Sequence, residues 1–240
     1  MAIHISRRHS YMKLLKYFAA VIITAAVCVC GMNWHYTGAV IPGKRTETDI
    51  ISTAFYKIKR SIHENMPRNE GGIVFLGDSL TDYVPFSELF PGLRVINRGI
   101  AGDNTLGALE RIDEVTSLKP AKLFILLGTN DIVYNMTAER TAANLTAIIR
   151  KVQESSPSTK IYIETLMPTS PNFSTGRPND VIDSRNETIR AVAQETGCIL
   201  VDTHSHMAED GVLPLKYTVD GLHLSGAGVL RWVELLKTFM

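Results

Sequence analysis

Short apolar runs alternate with segments of helical periodicity from about residue 50 to the end of the chain. The apolar runs are rich in Ile, Val, Leu and Phe, and they predict five strands, at residues 73–76, 94–97, 123–127, 161–166 and 199–201. Strands that alternate with helices form parallel sheets, and unbroken apolar runs are typical of strands covered on both faces. The pattern therefore predicts an α/β domain, a three-layer α/β/α sandwich around a central parallel sheet.

Amphipathic helices are predicted around these strands. A first helix spans about residues 50–66, and apolar residues recur every three or four positions across residues 106–118 and 145–152. A last helix begins after Ser225, a residue type that caps helix N-termini. The long irregular stretch at residues 168–180 is predicted to be a loop, and loops of that length are often functional.

The first 34 residues have a different pattern, in which four Lys and Arg residues precede an 18-residue charge-free run at residues 17–34. That length lies between a signal-peptide core of ~7–15 residues and a spanning helix of ~17–25. An uncleaved signal anchor, a cleaved signal peptide and a buried helix of the fold remain open. The leading cations place the N-terminus in the cytoplasm. We expect a basic stub with an anchor or signal in residues 1–34, a linker in 35–49 and a domain in 50–240. The domain would be exported, and either membrane-anchored through the N-terminal segment or secreted or periplasmic.

The composition excludes several classes of protein. The 25 Lys and Arg residues balance 24 Asp and Glu residues, so the chain lacks the excess of positive charge that nucleic-acid binding uses. Cys28, Cys30 and Cys198 are too few for a disulfide framework or a four-ligand zinc site. We expect no nucleic-acid partner and no structural zinc.

Small and polar residues follow the apolar runs at one predicted edge of the sheet. The first run is followed by GDSL (residues 77–80), the second leads into NRGIAGD (97–103), and the third is followed by GTND (128–131). DGLH (220–223) stands just before the last helix. Ligands of open parallel sheets bind at the carboxyl ends of the strands, so these four segments are expected to meet there.

The residue types in these segments are those of acyl transfer. A serine hydroxyl becomes a nucleophile when an imidazole removes its proton, and a third group must hold the imidazole; Ser79, His223 and Asp220 supply the three. The oxyanion needs fixed donors, and the N–H groups of Ser79 and Gly102 and the amide of Asn130 are candidates. Such an enzyme needs no metal or organic cofactor, and it should lose activity in mild acid as the imidazole becomes protonated.

The four segments, in this order, resemble the four blocks of the SGNH hydrolase superfamily, also called GDSL lipases or esterases. The resemblance implies a flavodoxin-like sandwich. It also implies Ser79 as nucleophile, Gly102 and Asn130 as oxyanion donors, His223 as base and Asp220 as the partner of the base.

The resemblance covers about residues 70–235. The motifs NRGIAGD, RIDEV and LLGTND are similar to those of the branch that contains platelet-activating-factor acetylhydrolase-like and sialate O-acetylesterase-like enzymes. That branch implies removal of short acyl groups. The chain departs from it at residues 103–105, Asp-Asn-Thr where many relatives have Asp-Thr-Thr, which puts hydrogen bonds behind the site in doubt.

The sequence leaves the substrate open. A carbohydrate O-acetylesterase is the first expectation, a lysophospholipase or thioesterase of the same fold is the alternative, and a membrane-tethered module that binds without catalysis is a third. The oligomeric state is not specified. Aromatic and apolar residues that could form the rim of the site are Tyr83, Tyr134, Met167, Phe173 and Tyr217.

Other candidate residues have a structural alternative. Asp78 and Asp131 are expected to bond loop backbone rather than to act as acids. Arg98 could steer an anionic substrate, but a solvated charge or a local salt bridge is favoured. His204 and His206 are interpreted as surface or supporting groups rather than metal ligands, and no metal site is predicted.

Overall fold

A computed structural model describes residues 45–240 of the chain, and the predictions for the first 44 residues lie outside them. The strands are β1 (Ile73–Gly77), β2 (Val95–Gly99), β3 (Lys122–Leu126), β4 (Lys160–Glu164) and β5 (Ile199–Val201). The helices are α1 (Asp49–Ser52), α2 (Ala54–Asn65), α3 (Ser79–Asp82), α4 (Phe86–Leu89), α5 (Thr105–Glu110), α6 (Asp113–Thr116), α7 (Thr129–Val133), α8 (Ala138–Ser155), α9 (Asn179–Thr196), α10 (Thr203–Met207) and α11 (Gly226–Lys237). A 3₁₀ turn spans Leu215–Tyr217.

The five strands form one parallel sheet in the order β2-β1-β3-β4-β5. From β1 the chain goes outward to β2 and then returns to the other side of β1 as β3. The order reverses between β1 and β3, and such reversals open a crevice at the carboxyl edge of the sheet. Helices flank the sheet, so the predicted α/β sandwich is confirmed. The topology brings the segments after β1, β2 and β3 to one edge.

The register of the sheet aligns an aromatic row on one face. Phe75 pairs with Phe124, and Phe124 with Tyr162. Their rings stack with centroids 5.0 and 4.5 Å apart. Phe86 of α4 stacks on Phe75 at 4.0 Å, and Trp232 of α11 meets the Phe86 ring edge-on at 5.5 Å. All of these rings are buried, so the row fixes the C-terminal helix against the sheet.

Two predicted helices are each interrupted. The first is broken at Thr53, which has extended backbone angles and whose hydroxyl accepts a hydrogen bond from the N–H of Tyr56, so that it caps α2. The helix predicted over residues 106–118 ends at Arg111, where φ is −116°. The predicted cap at Ser225 is confirmed, since its hydroxyl accepts from the N–H of Gly228. In these two segments periodicity therefore located the helices but not their breaks, and it did not predict α9.

Residues 45–49, assigned to the linker by sequence, are bonded to the domain. Asn104 Nδ2 donates to the carbonyl of Glu47 at 2.8 Å, and Arg140 forms an ion pair with the Glu47 carboxylate at 3.2 Å. The predicted hydrophobic segment at residues 17–34 lies outside the described part of the chain. Across residues 45–240, none of the helices combines the length and the apolar character needed to cross a membrane.

Glu164 ends β4 with a buried side chain. Its Oε2 accepts hydrogen bonds from Thr203 Oγ1 at 2.8 Å and Trp232 Nε1 at 2.7 Å. Burial raises the pKa of Glu164 from its ordinary 4.5 to about 7, although the two hydrogen bonds oppose the shift. The folded protein therefore holds this proton more tightly than the unfolded chain. The resulting stabilisation is complete below about pH 4.5 and is lost as the pH rises towards 7.

We expect Glu164→Gln, which cannot ionise, to remove this pH dependence. Between pH 5 and pH 7.5 the free energy of unfolding should change in favour of the variant, relative to the native chain, by on the order of 2–3 kcal/mol. Urea titrations at both pH values measure the difference. Glu154→Gln, at an exposed position of α8, is the matched control and should show no such change. Parallel pH profiles for Glu164→Gln and the native chain would contradict the argument.

Candidate active site

Ser79 stands on a tight strand-to-helix turn at the end of β1. Asp78 caps α3, its Oδ1 accepting from the N–H of Leu80 at 2.9 Å, and Ser79 is the first helical residue. A Cβ at Gly77 would lie 2.0 Å from Thr81 Oγ1, so only glycine permits this turn. Ser79 is 6% exposed and lies at the carboxyl edge of the sheet.

His223 connects Ser79 to Asp220. Its Nε2 lies 2.9 Å from Ser79 Oγ, and its Nδ1 lies 2.6 Å from Asp220 Oδ2. The other carboxylate oxygen, Oδ1, accepts from the backbone N–H groups of Leu222 at 3.0 Å and His223 at 2.7 Å. A carboxylate can only accept, so Nδ1 carries the proton and Nε2 presents its lone pair to the serine hydroxyl.

Asp220 is ionised when it accepts the hydrogen bond from His223. Partial burial raises its pKa, but the hydrogen bonds from the side chain and backbone of His223 and from the Leu222 N–H outweigh burial and hold the pKa below its ordinary value. A negative charge beside Nδ1 stabilises the imidazolium that forms when His223 accepts a proton.

Gly102 and Asn130 lie in two segments that a hydrogen bond connects. Gly102 follows β2 and has a φ of +83°, in the region that favours glycine, and a Cβ at this position would lie 3.0 Å from Ile50 Cδ1. Asn130 lies in α7, after β3, and its Nδ2 donates one hydrogen to the carbonyl of Asp103 at 2.8 Å. The second hydrogen of Nδ2 is not used by that bond. The three segments after β1, β2 and β3 therefore supply Ser79, Gly102 and Asn130 at one edge.

The two aspartates next to these residues have structural contacts. Asp131 accepts from the N–H of Thr105 at 2.9 Å and from the hydroxyls of Thr105 and Thr141 at 2.6 and 2.7 Å, which agrees with the predicted structural role. Asp78 is fully buried, and burial raises its pKa to about 7, against the hydrogen bond from Leu80 and the charge of Arg177.

The departure at residues 103–105 has a clear structural consequence. Asn104 Oδ1 accepts from the N–H of Gly107 at 2.8 Å and caps α5, while its Nδ2 binds the carbonyl of Glu47. Asn104 therefore connects the loop that carries Gly102 to the segment that enters the domain. Both hydrogen bonds lie outside the set formed by Ser79, His223 and Asp220.

Several predicted residues lie elsewhere. Met167 is wrong as a rim residue, because it is 3% exposed within the core. Arg98 is 6% exposed, donates to the Asn97 carbonyl and makes no ion pair within residues 45–240, so the favoured interpretation as a solvated charge or a local salt bridge is also wrong. His204 Nε2 lies 3.2 Å from Asp183, and His206 Nε2 lies 2.7 Å from the Arg231 carbonyl. The two histidines contact different neighbours.

The four aromatic rim candidates differ in their contacts. Tyr83 is exposed, with its ring 5.5 Å from the His223 ring, and Phe173 packs on Gly221 in the same turn as His223. Tyr134 lies beneath Arg45, whose guanidinium is 5.9 Å from the ring. Tyr217 is partly buried against the core, so Tyr83 and Phe173 are the two that border the hydrogen-bonded chain.

Sequence reasoning missed two arginines that support the site. Arg111 is buried and donates from Nε to Asp103 Oδ2 at 2.8 Å, from Nη1 to Glu114 Oε1 at 2.5 Å and from Nη2 to the Gly77 carbonyl at 3.3 Å. Arg177, in the loop before α9, donates from Nη2 to Asn130 Oδ1 at 2.6 Å. An arginine inside the apolar repeat of residues 106–118 was the signal for Arg111; no local pattern marks Arg177.

This fold and the arrangement of Ser79, His223 and Asp220 at the carboxyl edge are those of a serine hydrolase of the SGNH type. Residues 75–230 match the sequence profile of the GDSL-like Lipase/Acylhydrolase family, and the chain belongs to that family. It is accordingly a carboxylic ester hydrolase.

Known relatives agree with this assignment. The chain is 29% identical over 173 residues to the human platelet-activating factor acetylhydrolase IB subunit alpha2, a match that covers 68% of this chain and 72% of the relative. A solved structure from Streptococcus pneumonia, named for platelet activating factor, is 31% identical with a TM-score of 0.70, covering 77% of this chain and 90% of the other. An acetylxylan esterase of Geobacillus stearothermophilus shares the fold at 21% identity and a TM-score of 0.58, covering 72% and 95%.

Proposed function

We propose that this chain hydrolyses short-chain esters, in particular O-acetyl groups on carbohydrate, through an acyl-serine intermediate. The observation that carries the proposal is the continuous set of hydrogen bonds from Ser79 Oγ through His223 to Asp220, at 2.9 and 2.6 Å. These distances suit direct proton transfer between nucleophile and base.

The proposed reaction has two halves. Ser79 Oγ attacks the acyl carbon while His223 Nε2 takes the hydroxyl proton, and the N–H groups of Ser79 and Gly102 with Asn130 Nδ2 stabilise the oxyanion. His223 then gives its proton to the leaving alcohol, and the acyl group stays on Ser79. Water repeats the sequence, with His223 as base, and releases the acid.

The small size of the cavity beside the nucleophile supports short acyl groups. About 50 Å³ of space is lined by Ser79 and His223 together with the apolar side chains of Leu80, Tyr83, Val84, Leu224 and Val229. Roughly 10–15 Å³ of such space admits one water-sized group, so the cavity accommodates about four heavy atoms. An acetyl group fits, whereas an octanoyl chain exceeds this space.

A second cavity, larger and more polar than the first, supports a substrate whose alcohol part is rich in hydroxyl groups. It measures about 320 Å³ and is formed by residues 169–179, which include Ser170, Thr175 and Arg177 as hydrogen-bonding groups and Phe173 as an aromatic surface. The loop is adjacent to the catalytic turn, since the Ser170 N–H donates to the Gly221 carbonyl at 2.9 Å. The exported location expected from residues 1–34 would expose the domain to extracytoplasmic glycans.

We expect the purified protein to prefer p-nitrophenyl acetate to the octanoate by at least about tenfold in kcat/KM, because forcing extra methylenes into a cavity that is already filled costs roughly 1–3 kcal/mol of transition-state binding. Val229→Ala should lower the ratio of kcat/KM for the acetate to kcat/KM for the octanoate, because the smaller side chain lets a longer acyl chain into the cavity. Leu230→Ala, one residue further along α11 and exposed, is the matched control and should leave the ratio unchanged.

The same assay separates the proposal from its alternatives. A preference for octanoate would overturn the short-chain assignment and favour a lysophospholipase or thioesterase. The absence of any Ser79-dependent turnover would favour a binding module. Release of acetate from an acetylated oligosaccharide panel tests the carbohydrate assignment, and activity on simple acetates without activity on any glycan would contradict it.

A further inference from the structure

The orientation of the Asn130 amide decides whether this residue helps or hinders the proposed reaction. With Nδ2 towards the oxyanion it donates a hydrogen bond, but with the amide turned by half a revolution it would present Oδ1, a second acceptor, to a developing negative charge. An asparagine that serves as an oxyanion donor therefore needs partners that distinguish its oxygen from its nitrogen.

Two neighbours of Asn130 make that distinction. Asp103 contributes a carbonyl oxygen, which can only accept, and it lies 2.8 Å from Nδ2. Arg177 contributes a guanidinium, which can only donate, and its Nη2 lies 2.6 Å from Oδ1. A turned amide would place a donor against a donor and an acceptor against an acceptor, so one orientation satisfies both neighbours.

Arg177 is itself fixed by its loop and by α7. Its Nε donates to the Thr129 carbonyl at 3.1 Å, and its Nη1 donates to the Thr175 carbonyl at 2.6 Å. Three of its donors are thereby directed at three acceptors in the planar geometry that only a guanidinium offers. Thr129 precedes Asn130 in the chain, so the same side chain fixes both the backbone and the amide at this position.

The loop that carries Arg177 also contacts the other half of the site. Ser170 donates its N–H to the Gly221 carbonyl at 2.9 Å, and Phe173 packs against Gly221. The loop before α9 thus connects the turn of Asp220 and His223 to Asn130. A shift of this loop would displace Arg177 from the amide.

We propose that Arg177 is a positioning residue that holds the Asn130 amide with Nδ2 directed to the oxyanion. The proposal rests on the proposed function, since it assigns Arg177 a role in the same reaction. Arg177 acts on the transition state through Asn130, and so it should affect kcat much more than KM.

Arg177→Met tests this role. We expect kcat for p-nitrophenyl acetate to fall about 10- to 100-fold, up to the loss seen when one oxyanion donor is removed, while KM changes less than about threefold. Arg177→Ala should regain part of this loss when guanidinium ion is added. Arg190→Met, at a partly exposed position of α9, is the control and should keep the native kcat. An unchanged kcat, or a rise in KM alone, would overturn the proposal.

A double-mutant cycle with Asn130→Ala separates positioning from every other role. If Arg177 acts through Asn130, adding Arg177→Met to Asn130→Ala should lower kcat by less than about twofold further. A full multiplication of the two losses would mean an independent role for Arg177 and would overturn the proposal. If Arg177→Met does not fold, Arg177→Lys replaces it in the cycle, because lysine keeps the charge and one donor but loses the fork.

NMR signals of the Asn130 side-chain amide test the positioning role without relying on catalysis. Failure of this proposal can therefore be distinguished from failure of the proposed function. The two N–H signals of this amide should shift and exchange faster with solvent in Arg177→Met than in the native protein. If Ser79→Ala retained turnover, the proposed function would fail, yet this amide would still report on Arg177. Unchanged amide signals in Arg177→Met would overturn the positioning role by themselves.

Discussion

Ser79→Ala should lower the turnover of p-nitrophenyl acetate by at least about 10⁴-fold while the protein stays folded. The Ser79 hydroxyl forms the bond to the acyl carbon, and its proton is the one that His223 accepts. Without the hydroxyl, neither the attack nor the proton transfer can take place. The remaining oxyanion donors can bind the ester, so KM should change less than kcat. Initial rates with each variant, at matched concentration, give the result.

The effect must be separated from a loss of structure. The Ser79 side chain is small, and its only hydrogen-bond contact among the described residues is with His223, so the melting temperature should stay within a few degrees of the native value. Ser61→Ala, on the exposed face of α2, is the matched control and should keep full activity. Residual turnover above about 1% of the native rate in Ser79→Ala would show that another group attacks the ester.

Arg111→Met should cost about 3–5 kcal/mol of folding free energy, the range found when one partner of a buried ion pair is removed. Arg111 is buried between Asp103 at 2.8 Å and Glu114 at 2.5 Å. Its removal leaves the buried Asp103 carboxylate without its ion-pair partner and leaves Glu114 with His63, whose Nδ1 lies 3.4 Å away. Burial already raises the pKa of Asp103 to about 6 against the opposing charge of Arg111. Without Arg111 that pKa should rise further.

The destabilisation caused by Arg111→Met should depend on pH, because it arises from buried carboxylates that lose their cation. In the variant the buried carboxyls are tolerated when protonated, so the loss in free energy of unfolding should be larger at pH 8 than at pH 5. Urea unfolding at the two pH values measures it. Arg150→Met, exposed on α8, should change stability by less than about 0.5 kcal/mol. A loss below 1 kcal/mol for Arg111→Met would mean that the ion pairs are not essential to the fold.

Most of the sheet could be predicted from local pattern. The strands β1, β3 and β4 are buried on both faces over most of their length, and a strand so placed is largely apolar, which makes it visible in the sequence. The short helices α3, α4, α7 and α10 were not predicted. They have four or five residues, too few for a period to be recognised. Of these, α3 and α10 begin at aspartates that follow β1 and β5 and cap the helices.

The main features of the site could be predicted because its residues follow the strands. The segments after β1, β2 and β3 must share one edge in a parallel sheet, so Ser79, Gly102 and Asn130 could be located from order alone. Arg177 could not. It reaches Asn130 across 47 positions from an irregular loop, and the path of such a loop depends on tertiary contacts that no local pattern records.

The other two errors concern side chains that are buried where an exposed position was expected. Arg98 lies on β2 and is buried, whereas the sequence favoured a solvated charge or a local salt bridge because arginine is seldom buried without a partner. Met167 follows β4 at the edge where the site lies, but its side chain turns into the core. Alternation along a strand decides which face a residue occupies, and at the end of a strand that alternation no longer applies.

Mass spectrometry of the protein after reaction with a fluorophosphonate ester most directly tests whether Ser79 is the nucleophile. We predict one adduct per chain, on the peptide that carries Ser79, with loss of hydrolysis in proportion to labelling and no adduct in His223→Ala over the same time. An adduct on a different residue that accompanies inactivation, or full labelling of Ser79 with undiminished hydrolysis, would contradict the mechanism.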